Sequence, residues 1–314
     1  MNPEVLIEQA LEDTIAAHEV PDGPPRLAAA IRHAVFPSGA RIRPKLCIAV
    51  AHACDADDMS LTMGTAVAIE LLHCASLVHD DLPCFDDAPT RRGQPSVHKA
   101  FGEQLAVLAG DALIIMAFQT LAMSGQKSRH RLPAVFAAVC AGVGSATGIT
   151  AGQAWECEPK VCLQDYQRAK TGALFSAATI AGALTAGVRN PAWRNFGELL
   201  GEAYQVADDI RDVLADPAVL GKPVGRDVEL GRPSSARELG LEGAIAHFDA
   251  LFDRVVASIP ECKGAEQLRA LARSEAQRMV PKSWAENLIP DNSLRSAPPS
   301  PRSVLVAPHK RQSA

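Results

Sequence analysis

Two aspartate-rich runs carry the strongest chemical signal in this chain: Asp80-Asp81-Leu-Pro-Cys-Phe-Asp86-Asp87 and, much later, Asp208-Asp209-Ile-Arg-Asp212. Each closes an apolar helical stretch, where a folded protein seldom concentrates acid. Asp208 and Asp212 are four residues apart, so they share one helix face, with Asp209 close beside them. Like charges at that spacing repel, and a cation between them removes the repulsion. Hard oxygen ligands without histidine or thiolate partners suit magnesium, which takes one or two carboxylates and completes its shell with water and phosphate oxygens. Pro83 forces a turn inside the first run, and a turn that returns Asp86 toward Asp80 makes a chelate. The implied chemistry is magnesium shared between two carboxylate clusters and a polyphosphate.

The elements that must hold these clusters are helices. Apolar residues recur at three- and four-residue spacing, and sustained strand alternation is missing. The pattern predicts helices over about 3–18, 25–36, 43–55, 60–81, 102–123, 131–155, 163–187, 191–215, 236–258 and 264–279. Pro/Gly punctuation separates them, and no break is long enough for a linker, so residues 1–286 read as one all-α domain. From about residue 287 the periodicity fails, and the Pro/Ser-rich, somewhat basic stretch 287–314 reads as a disordered tail.

Composition narrows the class. The chain has 314 residues, 47% hydrophobic and 21% charged, enough for a large aliphatic core. A net charge of −5 argues against nucleic acid as a main partner. No unbroken apolar run reaches the roughly 18 residues of a membrane span, and the acidic amino end lacks the basic start of a signal peptide. Eight scattered cysteines without a C-x-x-C pair fit small buried hydrophobes in a reducing cytoplasm better than disulfides or zinc.

Further blocks surround the acids: Ser38-Gly39-Ala40-Arg41-Ile-Arg43-Pro44, Leu72-His73-Cys-Ala75-Ser76, Arg91-Arg92-Gly93, Lys170-Thr171-Gly172, Tyr204-Gln205, and Gly221-Lys222. In this order and spacing they resemble the trans-isoprenyl (polyprenyl) diphosphate synthases, most of all bacterial geranylgeranyl diphosphate synthases, from the first helix to about residue 280. The resemblance implies a single antiparallel helical bundle around a central substrate cavity, a homodimer, and magnesium-dependent transfer of an allylic prenyl group to isopentenyl diphosphate. It implies metal ligation by Asp80, Asp81, Asp86, Asp208 and Asp212, with Asp209 completing the second motif; Asp87 has no assigned use. Arg91, Lys170, Thr171, Gln205 and Lys222 match groups on the allylic diphosphate, and Arg43, His73 and Arg92 match the isopentenyl site. Arginine suits such anions because it binds phosphate bidentately and keeps its charge.

Two positions depart from the family pattern. Ala40 stands where a phosphate-binding lysine is usual, leaving Arg41, Arg43 and Arg92 to supply the charge. Glu156, in Gly-Gln-Ala-Trp-Glu, replaces an aspartate and has no assigned role. Product length is expected to follow the helix ending at Asp80, where Ala75 and Ser76 lie about one turn below the metal. Farnesyl-forming relatives carry an aromatic at the position of Ala75. Alanine there implies the longer geranylgeranyl diphosphate, with Leu72 and Ile69 closing the tunnel deeper down; a still longer product is the runner-up. Rival readings are an HD-type phosphohydrolase built on His79-Asp80, a terpene cyclase, and a non-catalytic synthase subunit. The Arg pair and the second all-aspartate cluster count against each in turn.

Overall fold

The computed structural model describes residues 3–36, 39–160, 163–214 and 235–281. Lys222 and the segment 287–314, both singled out in the sequence, lie outside these residues. The described residues form thirteen α-helices: α1 Pro3–Ala16, α2 Pro25–Val35, α3 Ile42–Ala53, α4 Met59–Asp80, α5 Val97–Phe101, α6 Glu103–Ser124, α7 Leu132–Val143, α8 Ile149–Trp155, α9 Leu163–Gln167, α10 Ala173–Thr185, α11 Ala192–Leu214, α12 Ser235–Ala257 and α13 Ala265–Met279. Among the described residues the only strands are Thr90–Arg91 (β1) and Gln94–Pro95 (β2), a small antiparallel hairpin.

Helix α4 is the axis of the bundle. Asp58 caps it by accepting the Leu61 N–H at 3.1 Å, a satisfied donor worth about 1 kcal/mol. Its residues are apolar on every side because α6, α3, α10, α1, α2 and α7 all pack around it. Ile69, Leu71, Leu72, Cys74 and Ala75 are buried in one continuous core that extends through Phe175, Phe196 and Phe248. Arg41 is buried with them, its guanidinium donating to Glu8 at 2.7 Å, Glu70 at 2.6 Å and the Val35 carbonyl at 2.9 Å. Three acceptors satisfy a charge that would otherwise be too costly to bury.

The expected helices are present, with local differences. The predicted helix 131–155 is two, because Gly144 ends α7, its N–H turning back to the Cys140 carbonyl. The predicted helix 163–187 contains a π-helical turn, Arg168–Gly172, and α12 is kinked at Gly240. Helices α4 and α6 are each long and apolar enough to cross a membrane by length and composition, although polar residues such as Thr62 and Glu70 interrupt the apolar run of α4. The apolar window of α4 is 78% buried inside the protein, that of α6 only 39%. Val107, Leu108, Ile115 and Met123 leave an exposed apolar face on α6.

Candidate active site

The first aspartate run begins where α4 ends. Helix α4 stops at Asp80, and the turn through Pro83 brings the Asp86 N–H onto the Asp80 carbonyl at 3.0 Å. Asp80 and Asp86 therefore converge, as the proline turn predicts. A third carboxylate joins them: ligand oxygens of Asp80, Asp86 and Glu156 lie within 4.8 Å of one another. Oxygen-only donors at that separation fit a hard divalent cation. Burial pushes the Asp80 carboxyl up, Lys170 opposes the shift, and Asp86 adds to it. A bound cation relieves the same strain.

Asp81 has a different partner. It is buried, and Arg91 of β1 holds it through a bidentate pair, Nε lying 3.1 and 3.2 Å from the two carboxylate oxygens with Nη2 closing the fork. Asp87 sits on the far side of the turn, where it pairs with Lys99 at 2.9 Å and His98 at 3.3 Å. Its job is to tie the loop to α5. The adjacent arginines diverge because the hairpin turns on Arg92 and Gly93, both at positive φ (+53° and +77°). Such a turn matches the twist of the strands. For Arg92 the left-handed backbone costs about 1–3 kcal/mol, strain of the kind that collects at functional sites.

Arg92 points toward α3 and α4, with Glu70 3.9 Å away. Nearby, Arg43 donates to His73 Nε2 at 3.3 Å and lies over the Phe175 ring at 4.6 Å. An arginine can only donate, so Nε2 accepts and the imidazole is neutral. Burial and the charges of Arg43 and Arg92 hold the His73 pKa well below its usual value. Arg43 Nε and Arg92 Nη1 are buried without a hydrogen-bond partner among the described residues. Two orphaned cationic donors in one place fit an anion. Arg41 does not belong to this group, because Glu8 and Glu70 occupy it; the expectation that it stands in for the lysine missing at exposed Ala40 is corrected.

The π-turn links the two acidic clusters. Lys170 Nζ reaches Asp80 at 3.3 Å, while the neighbouring Thr171 hydroxyl donates to Gln205 of α11 at 3.1 Å. Gln205 in turn donates to Asp209 at 3.1 Å, fixing the buried member of the second cluster. Asp208 and Asp212 are partly exposed on the same helix, and Asp208 lies near enough to Arg43 to act on its charge. A π-turn adds one residue to a helical turn, and this one points consecutive side chains at different clusters. Below the site, Ala75 is buried and the Ser76 hydroxyl donates to the His73 carbonyl at 2.8 Å. His79 turns toward α6, its Nε2 3.3 Å from the Val107 carbonyl and 3.8 Å from Asp111. A histidine–aspartate metal dyad needs it beside Asp80.

The place of Glu156 beside Asp80, the π-turn and the hairpin go beyond the sequence expectations. The Gly-Gln-Ala-Trp-Glu block was visible, and Gln153, which donates to Asp80 at 2.8 Å, lies three residues before Glu156 on the same helical face. That spacing was the available signal.

Together these features define an all-α protein in which an acidic cluster that could hold a metal ion lies beside partly buried arginines and a lysine. Residues 24–263 match the polyprenyl synthetase family. The chain is 48% identical over 282 residues to the geranylgeranyl diphosphate synthase of Cereibacter sphaeroides, covering 90% of this chain and 98% of that one. It is 45% identical to the geranylgeranyl diphosphate synthase of Rhodobacter capsulatus, covering 89% and 97%. Among solved structures, an FPP/GFPP synthase from Zymomonas mobilis superposes with a TM-score of 0.72 at 30% identity, covering 88% of this chain and 99% of that one. The Helicobacter pylori geranyltransferase complexed with magnesium and isoprenyl diphosphate gives 0.72 at 28% identity, covering 91% and 98%. The chain belongs to the polyprenyl synthetase family.

Proposed function

We propose that this protein is a prenyltransferase that condenses isopentenyl diphosphate with allylic diphosphates and releases geranylgeranyl diphosphate. The observation that carries the reading is the π-turn, which ties Lys170 to the Asp80–Asp86–Glu156 cluster and Thr171, through Gln205, to the helix of Asp208 and Asp212. Asp80, Asp86, Asp208 and Asp212 would hold magnesium, and its charge would neutralise that of the departing diphosphate. Lys170 and Arg91 bind the oxygens of that diphosphate, and Lys222 is assigned to the same task. Arg43 and Arg92, with His73 holding Arg43 in place, bind the isopentenyl diphosphate. Asp81 orients Arg91, and Asp209 orients Gln205 and Thr171. Buried Ala75, with Leu72 and Ile69 deeper along α4, lines a dry path for the growing chain and keeps water from the allylic cation. The work is positioning and electrostatics.

The relatives' names support the twenty-carbon product, as does the small residue at 75. The apolar face of α6, with Ile115 58% and Met123 69% exposed, supports a homodimer. A cytoplasmic enzyme, with residues 1–286 as the catalytic domain and 287–314 dispensable, completes the reading. The test is to incubate pure protein with magnesium, isopentenyl diphosphate and dimethylallyl, geranyl or farnesyl diphosphate, then size the dephosphorylated products. Twenty-carbon alcohol is expected, with turnover falling by orders of magnitude in Asp208→Ala. Near-normal turnover of Asp208→Ala at saturating magnesium would falsify the metal assignment.

A further inference from the structure

Glu156 sits at the centre of a small network in which the proposed function gives roles to Lys170 and Asp80 but none to Glu156 itself. Its Oε1 accepts both the Lys170 ammonium and the Tyr166 hydroxyl, each at 2.5 Å. The same ammonium lies 3.3 Å from Asp80 Oδ1, so Glu156 is its nearer partner. All three charged side chains are largely shielded, at 18% exposure for Lys170, 19% for Glu156 and 11% for Asp80. Tyr166 also presents its ring to the ammonium, 5.8 Å from the centroid.

A lysine has three N–H donors and no geometric preference of its own. Drawn wholly onto Asp80, it would form an ion pair and compete with a cation for the same oxygens. Held on Glu156, it keeps one donor on Asp80 and one for an incoming diphosphate oxygen, and Asp80 keeps acceptor capacity for metal. Tyr166 restrains Glu156, and Gln153 restrains Asp80 at 2.8 Å.

We propose that Glu156 is a positioning residue that holds Lys170 away from Asp80, and so keeps Asp80 open to magnesium and Lys170 open to the allylic diphosphate. The proposal rests on the assignment of Lys170 and Asp80 given above. It differs from a role for Glu156 as a metal ligand, because its effect runs through the lysine.

The test is calorimetric titration of magnesium into the protein in the presence of inorganic pyrophosphate, alongside steady-state kinetics. Glu156→Gln is expected to weaken magnesium binding about tenfold, the scale of a charge-assisted hydrogen bond. It should raise the KM for the allylic diphosphate and leave that for isopentenyl diphosphate unchanged, with Glu156→Asp recovering most of the loss. In a Lys170→Met background Glu156→Gln should have no further effect, since nothing is left to displace. Parental magnesium affinity in Glu156→Gln, or the same tenfold loss in the Lys170→Met background, refutes the proposal; the second result makes Glu156 a ligand. Lys170→Met alone separates the two layers. If it changes neither magnesium affinity nor allylic KM, the assignment of Lys170 fails.

Discussion

Gly152 offers a sharp test of how the site is built. Helix α8 approaches the π-turn so closely that a Cβ on Gly152 would stand 2.4 Å from Lys170 Cα and 2.5 Å from its backbone nitrogen. Ordinary contact begins near 3.4 Å, so Gly152→Ala must part the two elements by 1.0 Å (3.4 − 2.4). Backbone on one side and a packed helix on the other leave no flexible group to yield. Overpacking of this kind costs about 1–3 kcal/mol, or a Tm lowered by roughly 2–5 °C in a chain of this size. The functional loss should exceed the stability loss. Lys170 and Thr171 ride on the displaced turn, and a misplacement of about 1 Å at a reacting centre costs on the order of a hundredfold in rate. Gly172, in the same turn at φ −64°, supplies the control, because a Cβ there meets nothing nearer than 3.9 Å. Turnover at saturating substrates and thermal melts of both variants decide the matter. If Gly152→Ala melts within a degree or so of the parent and turns over normally, the close approach of α8 is not what sets Lys170.

Ala75→Phe puts a ring into the buried wall of α4 and should shift the main product from geranylgeranyl to farnesyl diphosphate, with magnesium dependence intact; an active variant that still makes the twenty-carbon product places the floor elsewhere. Ala40→Lys adds a cation at an exposed position next to Gly39, which faces the Arg92 guanidinium, and since Arg41 is already paired, the KM for isopentenyl diphosphate should fall several-fold while the allylic KM stays put. Equal shifts in both constants would remove position 40 from that site. His73 stays neutral in the fold while the unfolded chain takes up a proton near pH 6.5, so stability should fall as pH drops below that value. The sign follows because the unfolded state binds more protons in that window. Denaturant titrations at pH 7 and pH 5.5 should show a smaller pH effect in His73→Gln, and an identical slope would mean that His73 is not the group responsible.

The two aspartate runs were legible because both of their constraints are local. The i, i+4 spacing of Asp208 and Asp212 follows from helix geometry alone, and Pro83 fixes the return of Asp86 within six residues of Asp80. All-α architecture was legible for the same reason, since periodicity reports each helix independently. What escaped depends on contacts between distant segments. Glu156 meets Asp80 only because α8 packs on the π-turn, and no spacing rule spans the 76 residues between them (156 − 80). The π-turn itself has no signature in Arg-Ala-Lys-Thr-Gly, whose residues suit an ordinary helix. Arg41 was misread because its motif places it among phosphate-binding cations, while Glu8 and Glu70, which claim it, come from α1 and α4.

The pairing pattern divides the site into two electrostatic halves. On the proposed allylic side the described cations are already engaged by acid: Arg91 with Asp81, and Lys170 with Asp80 and Glu156. Buried charge demands such pairing, because an unpaired ion in a low dielectric costs several kcal/mol. A diphosphate arriving alone would have to draw these cations from their carboxylates and strand the acids. Arriving with magnesium it exchanges partners, anion to cation and cation to anion, and no charge is left bare. On the other side Arg43 Nε and Arg92 Nη1 have no acceptor among the described residues, and Glu70, the acid beside Arg92, is bound more closely by Arg41 at 2.6 Å than by Arg92 at 3.9 Å. That half can take an anion without disturbing anything. On the proposed assignment, the pairing pattern predicts metal-dependent binding of the allylic diphosphate and metal-independent binding of isopentenyl diphosphate.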